Sequence, residues 1–166
     1  MLKISHLTGR LLLSGSVLAT CLAVTAEAHF RGRVVKQLPQ NHQVVVVDEA
    51  TYFYHNGAFY SPGPVAGYVV TAPPVGAVVA LIPAPRMELT SGGRTYYYYD
   101  GAFYCFKKKK NAYVVVAPPR GAVVESLPRG HTSLTVEGER RYIYDGVHYV
   151  REMRDGKPVF VVLGAG

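Results

Sequence analysis

The chain has 166 residues, 49% hydrophobic and only 17% charged, with a net charge of +7 when histidine is neutral. That length holds one ordinary domain or a few very small ones, and the basic balance favours anionic neighbours. There are two cysteines, Cys21 and Cys105; because the first falls in an N-terminal leader, a fold stapled by internal disulfides is excluded.

Residues 1–28 read as that leader. Lys3 and Arg10 supply a positive start, Leu11 to Val24 form an apolar core, and Ala26-Glu27-Ala28 fits the A-x-A cleavage pattern. The expectation is a secretory signal peptide cut between Ala28 and His29, which puts the protein in the periplasm or cell envelope. A membrane anchor fits less well, since Ser14, Gly15, Ser16 and Thr20 interrupt a stretch that is short for a bilayer. Lipidation at Cys21 is a second rival, through Leu18-Ala19-Thr20-Cys21, but Thr20 stands where such motifs carry Gly or Ala. Beyond residue 28 there are 16 basic and 10 acidic residues, a net +6. For an exported chain the matching partners are lipid headgroups, lipopolysaccharide phosphates, acidic polymers or another envelope protein, with peripheral membrane contact and without nucleic acid.

Three segments follow, residues 29–71, 72–116 and 117–166, with anchors at constant offsets. Gly32, Gly76 and Gly121 each precede a proline by seven residues (Pro39, Pro83, Pro128), and each proline precedes a turn glycine by 18 (Gly57, Gly101, Gly146). Such spacing predicts one structural unit repeated three times. Each unit offers a short apolar strand (Val34-Val35, Val78-Val79, Val123-Val124) and then a second near Val44–Val47, Met87–Leu89 or Leu134–Val136. Next come the two arms of a hairpin around Asn56-Gly57, Asp100-Gly101 or Asp145-Gly146, the dipeptides that a type I′ turn demands. A last strand closes each unit at Tyr68–Thr71, Tyr113–Val116 or Val159–Leu163. The fold class expected is therefore all-β, in three tandem β modules of about 45 residues, barrel-like and antiparallel, behind a signal-peptide helix. Pro73-Pro74 and Pro118-Pro119 mark the joints, because proline cannot donate to a ladder. Units this small bury too little surface to stand alone, so they pack on each other or exchange strands.

The middle hairpin, TYYYYDGAFY over residues 95–104, places Tyr96 and Tyr98 on one face and Tyr97 and Tyr99 on the other. At most half of the run is expected to wall a core. The segment after each hairpin, Ser61–Gly67, Lys107–Lys110 or Arg151–Pro158, is where the copies differ in length, which predicts a loop.

The pattern PPxGxxVxxLP, a valine-rich strand, YYYYDGxFY and YVVVAPP resembles an uncharacterised family of exported bacterial proteins, a domain of unknown function. The resemblance covers nearly all of the chain after the leader and implies an exported location and a β-rich build, with no activity attached. A weaker similarity is to bacterial Src-homology-3-like envelope modules, which bind peptidoglycan or peptides. The third segment carries their opening as Gly121, Val124, Leu127, Pro128 and Gly130, then Leu134, Val136 and Gly138. The middle one departs from it at Ala84-Pro85. A fainter likeness is to periplasmic nickel and cobalt homeostasis proteins.

Lys107, Lys108, Lys109 and Lys110 are the sharpest departure from the repeat and the leading candidate for binding an anion. The competing account of the run is a solvated loop that serves solubility. Tyr97 and Tyr99 are candidates for stacking on a ligand, against cross-strand packing that explains aromatics there equally. The function expected is a non-enzymatic envelope protein acting as a binding or structural module; the alternative is periplasmic metal binding through His29, His42 and His131. No H-x-H, C-x-x-C or H-E-x-x-H spacing occurs, so no metal or other cofactor is assigned. Cys105 faces Ser61 and Val150 in the other copies and reads as a partly buried thiol. No nucleophile, base and stabiliser fall together, which argues against an enzyme.

Overall fold

Runs of Val, Tyr and Phe punctuated by glycine turns favour strands over helices, because branched and aromatic side chains fit a pleated surface. The computed structural model describes residues 31–165, and all fifteen of its strands belong to antiparallel pairs. The leader, its cleavage site and Cys21 lie outside the described residues. The first sheet comprises β1 (Val34–Val35), β2 (Gln43–Val47), β3 (Ala50–His55), β4 (Ala58–Pro62) and β5 (Tyr68–Thr71). The second has β6 (Val78–Val79), β7 (Met87–Ser91), β8 (Arg94–Tyr99), β9 (Ala102–Lys107) and β10 (Ala112–Val116). The third has β11 (Val123–Val124), β12 (Thr132–Val136), β13 (Glu139–Tyr144), β14 (Val147–Arg154) and β15 (Lys157–Ala165).

Each sheet is a four-stranded meander with its short first strand added beside the last, in the order β1-β5-β4-β3-β2 and its two counterparts. The first and fifth positions of that order are never brought round to pair, so the sheets are open and the barrel-like expectation is corrected. Five consecutive strands complete each sheet, and none is exchanged between sheets. The three hairpin turns adopt the backbone that Asx-Gly requires, with φ of 45°, 44° and 48° at Asn56, Asp100 and Asp145 and positive values at the glycines that follow. One expected loop is strand instead: β14 and β15 pair as far as Arg154↔Lys157. Asp155-Gly156, with φ of 50° and 72°, forms a further tight turn there and lets the ribbon run on.

The sheets pack face to face, which supplies the burial that a single unit lacks. Val45, Tyr54 and Phe59 of the first sheet meet Val79, Tyr104 and Val115 of the second. Tyr98 and Phe103 on the second sheet's opposite face meet Val124, Tyr144, Tyr149 and Val162 of the third. The tyrosine run therefore walls two cores, with Tyr98 on one side and the half-buried Tyr97 and Tyr99 on the other. The expectation of a single core wall fails because the middle sheet is covered on both faces. Equivalent hydroxyls bridge the two joints: Tyr54 donates to the Leu81 carbonyl at 2.7 Å and Tyr98 to that of Ser126 at 3.2 Å. Gln43 adds a second bridge at the first joint, donating to the Val78 carbonyl at 2.9 Å and accepting from the Ala80 N–H at 3.1 Å.

A long-range ion pair ties the ends of the array together. Arg31 Nε donates to Asp145 Oδ2 at 2.8 Å, with the guanidinium 5.8 Å from the centre of the Tyr144 ring. The face of the third sheet turned away from the second carries Thr132, Leu134, Arg141, Ile143 and His148. It replaces the Tyr98–Phe103 pair of the middle sheet with Ile143 and His148.

Burial also couples these cores to pH. It pushes the hydroxyls of Tyr54, Tyr98, Tyr104 and Tyr149 far above the ordinary tyrosine range. Tyr144 is pushed up to about 12, chiefly by burial, with Arg31 opposing the shift and Asp100 and Asp145 adding to it. Unfolded tyrosine titrates near 10, so above that pH the unfolded chain releases protons that the folded chain keeps. The stabilisation is complete below about pH 10 and drains as pH climbs toward the raised folded values, by up to about 1.4 kcal/mol per pH unit for each buried tyrosine. Denaturant titrations at about pH 9 and pH 11 are expected to show a large fall in midpoint, with tyrosinate absorbance appearing together with unfolding. A midpoint that stays level would show these hydroxyls to be solvated.

Candidate functional site

The lysine run sits where a buried strand leaves the core. Ala102 to Cys105 of β9 are buried, whereas Phe106 and the four lysines are exposed. Lys107 still pairs with Ala112 of β10, and Lys108–Lys110 form a single 3-10 turn between the two strands. Asn111 closes that turn by donating its N–H to the Lys108 carbonyl at 3.1 Å, in a left-handed conformation (φ 46°) that asparagine tolerates better than most residues. The turn fixes four ammonium-bearing side chains at one strand end, and its N-terminal side carries no acid.

The same four lysines line an open groove of about 480 Å³ together with Gly76, Val78, Phe106 and Val114. Val78 and Val114 are paired across β6 and β10, so the floor is a piece of sheet surface. No carboxylate is among the lining residues. Charge compensation in this groove has to come from solution or from a ligand. At the corresponding ribbon of the third sheet, by contrast, Arg154 is paired with Glu152 at 3.1 Å.

Tyr97 and Tyr99 do not line the groove. Tyr97 stands edge-on to Tyr113 with ring centres 5.3 Å apart, and the Arg86 guanidinium lies 5.9 Å and 5.7 Å from those two rings. Its hydroxyl is shifted up by desolvation and by the charges of Glu88 and Tyr113, against Arg86. Tyr99 lies across the first hairpin turn, its ring against Gly57, and is shifted up by burial and by Asp100. Phe106 borders the groove from β9, but it pairs with Tyr113 and its ring lies on that opposite face of the sheet, the two ring centres 5.1 Å apart. Sequence reasoning passed over Phe106, Val78 and Val114. The signal for Phe106 was its place beside the lysines; the valines needed the β6–β10 register.

The histidines are engaged separately. Nδ1 of His42 is 2.9 Å from the Pro39 carbonyl and Nδ1 of His131 is 2.9 Å from that of Pro128, so each fastens the turn after its own Leu-Pro. His42 and His55 border a second cleft of about 590 Å³ between the first and second sheets, with Asn41, Asn56 and Leu81. Among the described residues no three of His, Cys, Asp and Glu converge as metal ligands, and His29 lies outside them. Cys105 is buried and free, its Sγ 3.9 Å from the Thr95 carbonyl. No helix among the described residues is long and apolar enough to cross a membrane.

A family model described as a family of unknown function (DUF6515) matches residues 23–165. Neither a curated protein nor a solved structure matches the chain.

Proposed function

The chain belongs to this family of unknown function, and we propose that it is an exported, non-enzymatic protein of the bacterial envelope that binds an anionic component there. Lys107–Lys110 are the contact. The observation that carries this reading is the gathering of four lysines along one groove with no carboxylate in its lining. Electrostatic binding of that kind acts within about 10 Å at 0.1 M salt and fades as salt rises. The A-x-A leader supports export, and the Gly121–Gly138 opening, similar to that of Src-homology-3-like envelope modules, supports binding rather than catalysis.

Sedimentation of the purified mature protein with lipopolysaccharide, anionic vesicles and peptidoglycan tests it. The expected result is pelleting with the phosphate-bearing particles at low salt and release at high salt. Pelleting that ignores salt, or none with any particle, sinks the proposal.

A further inference from the structure

The groove holds more than charge. Its floor is Val78 and Val114, both half-buried and on the same face of the sheet as Lys107, since Val114 pairs with Val78 and Ala112 with Lys107. A loop that served only to keep the chain in solution would need no such floor, and a polyanion would gain nothing from it. Lysine stems are themselves aliphatic, so side chains rooted along this rim extend the apolar surface while their ammonium groups reach outward. At about 480 Å³ the space falls within the range of pockets that hold a small molecule.

The neighbouring sheets lack one half of this combination each. In the first sheet the equivalent loop is drawn into its own turn by Gly63 N–H to the Gly67 carbonyl at 2.9 Å, and it contains no lysine. In the third, the ribbon Arg151–Phe160 continues as paired strand, and its exposed Met153 is bordered by the Glu152–Arg154 pair. Cationic rim and apolar floor meet only on the second sheet.

On the reading above, which this inference rests on, we infer that the ligand is an anionic lipid. Its phosphate sits on Lys107–Lys110 and one aliphatic chain lies along Val78 and Val114. The charge complementarity of the rim selects the head, and the floor selects the chain. A lipid held in this way is bound as a single molecule, distinct from a protein that rests on a bilayer by charge alone.

Calorimetric titration of the full mature chain with butyl, octyl and dodecyl phosphate, each kept monomeric, tests this beside inorganic polyphosphate as a probe with no chain. Affinity is expected to climb by about fourfold for each methylene that enters the groove. Val114→Ser is expected to weaken dodecyl phosphate roughly tenfold and leave polyphosphate unchanged. The chain-length series on the unaltered protein is decisive even if Val114→Ser, at a half-buried position of β10, does not fold. Equal affinity for all three alkyl phosphates, with lysine-dependent polyphosphate binding intact, overturns the lipid inference and leaves the anion reading standing. Absence of binding by every probe overturns both. Chain-length dependence that survives Lys107–Lys110→Ser places the chain elsewhere and also overturns the inference.

Discussion

With Lys107–Lys110 replaced by serine, binding to vesicles rich in anionic lipid is expected to weaken by about a thousandfold. A lysine near such a surface contributes about 1 kcal/mol, and four of them about 4 kcal/mol, at 1.4 kcal/mol per tenfold. The fold should not register the change. All four side chains are exposed, and the groove has no acid to lose a partner. Removing four like charges from one turn relieves repulsion, so the thermal midpoint should hold or rise slightly. The matching control is Arg154→Ser with Lys157→Ser on the third sheet's ribbon, where Glu152 already offsets part of the charge. Arg154 is already paired with Glu152, so the control removes one uncompensated charge, and at about 1 kcal/mol it should move binding by less than tenfold. Cosedimentation over a range of vesicle concentrations measures both, and equal losses in the two variants would show a general charge effect with no site behind it.

Gly101→Ala is expected to destabilise the protein by roughly 3 to 4 kcal/mol, and Gly146→Ala by only about 1 to 2 kcal/mol. Both glycines follow an aspartate in the same kind of hairpin turn, with φ of 85° and 74°. The backbone cost of a side chain at positive φ is therefore shared. The surroundings differ. A Cβ at Gly101 would fall 2.3 Å from Cε1 of Tyr144, with Pro128 Cγ behind at 3.2 Å, whereas a Cβ at Gly146 would meet nothing within 4 Å. Tyr144 is 5% exposed and belongs to the core between the second and third sheets, so its ring cannot swing clear without opening that core. Chemical denaturation of the two variants side by side isolates the packing contribution, because the backbone contribution cancels. Similar losses in both would mean that the second turn is not pressed against Tyr144.

The hairpins were legible because their determinants are adjacent in the chain. Asn56-Gly57, Asp100-Gly101 and Asp145-Gly146 fix the turns, and alternation then assigns each tyrosine a face. What alternation cannot say is which faces are covered. Tyr97 and Tyr98 look alike as letters, yet one packs toward the first sheet and the other toward the third. The candidate site was half legible for the same reason. Four consecutive lysines announce themselves, but Val78 comes 29 residues before Lys107 and reaches the groove only through its pairing with Val114. The Arg31–Asp145 pair, 114 residues apart, left no local trace at all. Asp155-Gly156 had the same signature as the three turns that were read, and treating its segment as a length-variable loop hid it.

The outer face of the third sheet has a bearing on how such an array can change in copy number. The middle sheet presents Tyr98 and Phe103 on one face to receive the next sheet, just as Tyr54 and Phe59 of the first sheet receive the middle one. A duplicated middle unit would find the same pair of surfaces on either side and could be inserted in register. The third unit offers Ile143, His148 and Arg141 at that place, so a copy appended after it would have no matching surface to seat against. Growth by internal duplication is thus compatible with this packing, and growth at the third sheet's outer face lacks the tyrosine–phenylalanine pair that seats a following sheet.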